Sequence, residues 1–80
     1  MMNKFQDLMN DKVPVQLVVD AITDRAHHKV VKGIIKLVTR NYVEVGRVAT
    51  GDEKSQFGTD EVRVIIPLEK IAEVIYAKRD

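Results

Sequence analysis

The sequence predicts a mainly β fold, a short helix followed by strands, of the small and strongly bent kind. Three observations predict it. From Val13 onward apolar residues alternate with period two over most of the chain, the mark of strands with one buried face. The helical spacing Phe5, Leu8, Met9 stops short of Pro14, which a helix cannot easily run through. Gly33 sits in the middle of an apolar strand, where glycine weakens pairing unless a bend or a close backbone approach needs it.

Each element has its own local reason. Asn3 and Gln6 have capping-box spacing, and Phe5, Leu8 and Met9 share one face of a helix over about residues 2–11. So short a helix must lay that face on something else. Val13, Val15, Leu17, Val19 and Ala21 face one way on the first strand; Gln16, Val18, Asp20 and Ile22 face the other. Residues 23–28 are polar and read as a connection. In the second strand, residues 29–38, Val31, Gly33, Ile35 and Leu37 share one face. Val30, Lys32, Ile34, Lys36 and Val38 share the opposite, half-wet face. Thr39-Arg40-Asn41 is a tight connection, with asparagine tolerant of positive φ. A third strand over 42–48 buries Val43 and Val45, and a fourth over 61–66 buries Val62, Val64 and Ile66. Residues 49–60 read as a long polar loop around Phe57.

The close is ambiguous. Pro67 followed by Leu68, Ile71, Ala72 and Ile75 fits a C-terminal helix, with proline at its first position and Lys78-Arg79 at its end. That reading gives an α+β fold. The same residues fit a short turn, Leu68 to Lys70, and a final strand Ile71 to Ala77 rich in isoleucine, valine and tyrosine.

Composition narrows the function. Eighty residues form a single domain over 1–80, and so small a domain buries only about 60% of its unfolded surface. The chain has no cysteine, which excludes disulfides, zinc–thiolate sites and thiol nucleophiles. No apolar run approaches the ~20 residues of a membrane span, and the N-terminus has no apolar signal core, so a cytoplasmic protein is expected. Net charge is +1, unevenly spread: residues 1–24 carry −2, residues 25–50 carry +5 and residues 51–80 carry −2. The basic middle reads as an anion or nucleic-acid patch, or as lysines dressing a wet strand face against edge aggregation. Nucleic-acid domains usually have pI above about 9; this chain is near 8.0.

A search for chemistry finds little. Ser55 is the only serine, with no base or orienting partner in its neighbourhood. His27 and His28 are adjacent and would point to opposite faces of a strand; with Asp20 or Asp24 they make at most a weak loop site. Glu69 and Glu73 read as solvated charges. No Gly-rich phosphate loop is present. No enzymatic activity, cofactor or metal is expected. Two constellations remain. Lys32, Lys36 and Arg40 share parity, and Asn41 and Tyr42 follow, so a phosphate backbone and a stacked base would fit there. Val18, Ile22, Val30, Ile34 and Ile65 are apolar yet outward, which points to a subunit interface.

Two stretches carry a family resemblance. Residues 31–45 have a mid-strand glycine, Gly33, with apolar Ile35 two places on. Residues 64–74 read Val-Ile-Ile-Pro-Leu-Glu-Lys-Ile-Ala-Glu-Val. Over residues 13–77 the chain resembles the Sm-like fold, an SH3-like five-stranded barrel, and in particular a family of short bacterial Sm-like proteins. The resemblance implies a strand rather than a helix after Pro67. It implies rings in which the fourth strand of one subunit pairs with the fifth of the next. The RNA motif does not carry over: the family's aspartate and asparagine positions are occupied by Thr39 and Val43, and Ile65-Ile66-Pro67-Leu68 replaces its second motif. The expected function is therefore a homo-oligomeric interaction or adaptor module with a possible protein partner. The alternative is single-stranded RNA or DNA binding through Lys32, Lys36, Arg40, Asn41 and Tyr42.

Overall fold

The computed structural model describes residues 3–20 and 28–77. Helix α1 spans Asn3–Asn10 and strand β1 Pro14–Asp20. Strands β2 and β3 span His28–Val38 and Tyr42–Val48. Helix α2 spans Gly51–Phe57, strand β4 Glu61–Pro67, a 3-10 turn Leu68–Lys70 and strand β5 Ile71–Tyr76. The strands form one antiparallel sheet in the order β4-β3-β2-β1-β5. The fold is thus mainly β. The sheet does not close into a barrel: β4 and β5 are its two edges.

Helix α1 stops by its own backbone before proline intervenes. The amide of Lys12 donates to the Met9 carbonyl at 3.1 Å, and that of Val13 to the Leu8 carbonyl at 3.0 Å. This is a Schellman ending, with its usual apolar contact made by buried Leu8 and Val13. Lys12 takes the left-handed position, φ 54°, that glycine usually fills. Pro14 then opens β1, the strand position at which proline costs least.

The core lies on one face of the bent sheet. Val15 and Leu17 of β1, Val31 and Ile35 of β2, Val43 and Val45 of β3, and Ile66 of β4 are buried there with Leu8 and Val13. Phe5 and Met9 of α1 pack on them, as do Val19, Val38, Val64, Leu68, Ile71 and Val74. The expected alternation holds in β3 and over Val15 and Leu17 of β1; Val19 and Val64 pack on the core without being buried, and Val62 is half-buried.

Strand β2 departs from its expected alternation. It pairs with β1 along residues 28–34 and with β3 along residues 34–38. Between Ile35 and Leu37 the register with β3 shifts, so Lys36 is an extra residue in the ladder. A bulge of this kind turns the following side chains over. Leu37, expected in the core, lies opposite Glu44 and is 42% exposed, while Val38 packs against the core in its place.

One further expectation is corrected. Residues 49–60 are not all loop: they contain α2. Thr50 caps it, accepting from the Glu53 amide at 3.2 Å, while the Glu53 carboxylate accepts from the Thr50 amide at 2.9 Å. Gly58, φ 67°, closes it in the left-handed conformation. At the close of the chain the expected turn and final strand form, and the alternative, a C-terminal helix, does not. The 3-10 turn delivers Ile71–Tyr76 to pair with β1, with a register shift between Val18 and Val19. Ala21, Ile22, His27, Lys78 and Arg79 lie outside the described residues.

Gly33 answers the need that its position implied. A Cβ there would strike the Gly46 carbonyl oxygen and come within 2.6 Å of Val45 Cγ1. Overpacking of this kind costs about 1–3 kcal/mol. Gly33→Ala is therefore expected to lower the denaturant midpoint by that order, whereas Gly51→Ala, with nothing within 4 Å of the added carbon, leaves it unchanged or raises it. Equal midpoints for the two variants would contradict the close-approach account.

Candidate functional site

The basic residues expected to track a backbone divide between two places. Lys32 and Lys36 lie on the outer face of β2 and are exposed. They line a shallow groove of about 550 Å³ with Ile34, Gly46, Val48 and Glu61. Arg40 lies beyond the bulge, in the β2–β3 turn, where it lines two other grooves: one with Phe5, Leu68 and Ile71, one with Tyr42, Pro67 and Leu68. The extra residue in β2 interrupts the parity that would have aligned all three.

The turn itself is firmly built. Thr39 Oγ1 accepts from the Asn41 and Tyr42 amides at 3.2 and 3.0 Å and donates to the Tyr42 carbonyl at 3.1 Å. The Leu68 amide donates to the Asn41 carbonyl at 2.8 Å. The 3-10 turn thereby fixes the β2–β3 turn from the other side. Arg40 and Asn41 are left exposed at its tip, with half-buried Tyr42 beside them.

The outer face also carries a charge ladder. Glu44 and Ile65 are cross-strand partners, as are Gly46 and Arg63. Arg63 donates through Nε to Glu61 at 2.8 Å and through Nη1 to Glu44 at 2.9 Å. The Arg63 hydrogen bond, helped by the charge of Lys36, holds the Glu61 carboxyl below its ordinary range. These pairs are exposed and add little stability; their effect is to fix the side chains' positions.

Of the residues expected at an interface, Val18 and Ile34 are half-buried and Ile65 is 61% exposed. Val30 is exposed as well; Ile22 lies outside the described residues. On β5, Ile75 and Tyr76 are exposed next to the free edge, and Lys4 sits over the Tyr76 ring at 4.9 Å from its centroid.

Sequence reasoning did not single out exposed Val48 and Phe57 as candidates, nor the clamp beneath α2. Arg47 Nη1 and Nη2 donate to the two Glu53 oxygens at 2.8 and 2.9 Å. The signals were present: Thr50-x-x-Glu53 is a capping-box spacing and Gly58 a helix stop.

Among the described residues, no three histidine, aspartate or glutamate side chains come together to hold a metal ion. No described helix is long and apolar enough to cross a membrane. Compared with known protein families, curated proteins and solved structures, the chain matches none.

The Arg47 hydrogen bonds, and then the Thr50 amide, hold the Glu53 carboxyl down from 4.5 to about 2. The folded state therefore binds this proton less readily than the unfolded chain. The contribution of Glu53 is complete above its unfolded value of 4.5 and is lost as pH falls through about 2. Acid titration followed by the Glu53 carboxyl resonance and the amides of residues 51–57 is expected to show α2 loosening in that window. Glu53→Gln should loosen α2 at neutral pH and abolish the titration. A carboxyl titrating near 4.5 would contradict the clamp.

Proposed function

We propose that the chain is a non-enzymatic, homo-oligomeric interaction module. The observation that carries this is the open sheet: β4 and β5 are both edges. An edge strand offers a row of backbone donors and acceptors to another chain. Both edges are rich in residues that favour such pairing: Val62, Val64, Ile65 and Ile66 on β4, and Ile71, Val74 and Ile75 on β5. Ile65 and Ile75 are exposed.

Pairing of β4 from one copy with β5 from the next satisfies both edges with a single head-to-tail contact. Contacts of that type close into rings when the rotation allows. The Sm-like resemblance of residues 13–77 supports the same arrangement. A groove of about 440 Å³ lies beside the β5 edge, lined by Phe5, Leu68, Ile71 and Val74 and by the charged Arg40 and Glu73. An added strand would cover it.

Size exclusion with light scattering is expected to return a multiple of 9.1 kDa. A lysine on an edge strand discourages pairing. Ile65→Lys and Ile75→Lys should each shift the mass toward one subunit without changing the circular dichroism, because both positions are exposed. A wild-type monomer at every concentration would end this reading.

A second reading, binding of single-stranded nucleic acid, is favoured by one observation: the braced turn that presents Arg40, Asn41 and Tyr42 together. A firmly held cation beside an aromatic ring suits a phosphate and its stacked base. It predicts salt-sensitive binding of a single-stranded oligonucleotide, weakened by Arg40→Ala. The slope of log affinity against log salt should fall by about 0.7 for each phosphate that the variant no longer neutralises. Absence of binding at low salt would remove it.

A further inference from the structure

The carboxylates of the outer groove are answered within the chain, and its polar donors are not. Glu61 accepts from Arg63 Nε at 2.8 Å and is held further by the charge of Lys36. Asp60 lies 3.9 Å from Lys54. Lys32 is exposed and has no ion pair or side-chain hydrogen bond among the described residues. The carboxamide of Gln16 is half-buried and has none either. The two residues are cross-strand partners on β2 and β1, and directly opposed side chains stand about 4.5–5.5 Å apart at Cβ. An ammonium and an amide are thus side by side with their donors free.

Around this pair the surface is apolar. Pro14, Ile34 and Gly46 are partners in one row across β1, β2 and β3, two strand spacings or roughly 10 Å long. The row is low at Gly46. A Cβ there would lie 3.0 Å from Lys36 Cε and 3.1 Å from a Glu61 carboxylate oxygen, so the Lys36 stem runs along the glycine as an apolar wall. Exposed Val48 follows two residues after Gly46 on the same face of β3. Two grooves meet here, one of about 550 Å³ that reaches Val48 and one of about 420 Å³ that reaches Ile75; Pro14, Lys32 and Gly33 line both. Small-molecule sites have this make-up, an apolar lining with a few convergent polar groups, within roughly 300–1,000 Å³.

We propose that this trough binds a medium-chain fatty acid, its carboxylate accepting from Lys32 and Gln16 and its chain lying over Pro14 and Ile34 toward Val48. The argument is charge complementarity joined to shape. One unpaired cation beside one free amide matches a single anionic head, and hydrogen bonds from an ammonium to a carboxylate are among the strong ones. Asp60 and Glu61 line the far end of the groove and, even paired, disfavour a polyanion such as nucleic acid. The row of proline, isoleucine and glycine side chains has no donor or acceptor to offer, so the rest of the ligand is hydrocarbon, whose burial drives binding. This site uses the outer face rather than the β4 and β5 edges and does not depend on their pairing.

Titration of isotope-labelled protein with sodium decanoate, kept below its micelle concentration, tests it by nuclear magnetic resonance. Saturable shifts are expected at the Lys32, Ile34 and Gly46 signals, and tighter binding of decanoate than of hexanoate. Lys32→Met keeps an unbranched stem and removes the charge from an exposed position. It should raise the Kd for decanoate about tenfold or more, as loss of a hydrogen bond to a charged group does, and leave decanol unaffected. Val48→Asp, also at an exposed position, should weaken both ligands. Decanoate binding that ignores Lys32→Met overturns the proposal, as do shifts that do not saturate. Inorganic phosphate that displaces decanoate at equal concentration overturns it too, because the site would then be one for anions with no use for its apolar floor.

Discussion

The close approach of β2 to β3 at Gly33 is the constraint on which the rest of the structure depends. Gly33 has no Cβ, and the Gly46 carbonyl with the Val45 side chain occupies the space where one would be. Strand β2 is the longest in the sheet and serves two neighbours, β1 with its first half and β3 with its second. The strand meets both neighbours at Ile34, beside the close approach. Leu17 from β1 and Val43 and Val45 from β3 can then be wholly buried in one small core.

The bulge at Lys36 lies two residues further along β2. By adding one residue it moves Val38 into the core and Leu37 out. It also separates the basic residues: Lys32 and Lys36 remain with the outer groove, and Arg40 goes with the turn that the 3-10 segment braces. Curvature and surface chemistry are thus set by the same few residues of β2. A change at Gly33 or Lys36 would rearrange where the charges stand as well as how the core packs.

Much of this was legible in the sequence, and the misses have physical reasons. The alternation of β1, β3 and β4 could be read because each keeps an unbroken period of two through its core. Gly33 could be read as a bend or a close backbone approach because glycine otherwise weakens a strand, and the close approach is what the structure has. The bulge could not, since parity arguments assume that no residue is skipped, and nothing in Ile35-Lys36-Leu37 marks the extra one. Helix α2 was hidden by composition: its residues are polar, so hydrophobic periodicity is silent, and only the Thr50, Glu53 and Gly58 spacing announces it. The end of the chain was ambiguous for another reason. Leu68, Ile71, Ala72 and Ile75 satisfy a helical stripe, but β1 needs a partner on its second side. Backbone pairing with Val15 through Val19 decides in favour of a strand.

That decision also sets which strand ends the sheet. A C-terminal helix would have satisfied its own backbone hydrogen bonds and left β1 as an edge. A strand satisfies β1 and passes the open row outward to β5, while the outer edge of β4 stays open at the opposite end of the sheet. The same chain thus bears two open ends, of opposite position and similar apolar character. Closing the sheet on itself would have removed both. The close approach at Gly33 packs β2 on β3 over the core while the sheet stays open, so the geometry that makes the core possible leaves both outer edges in place.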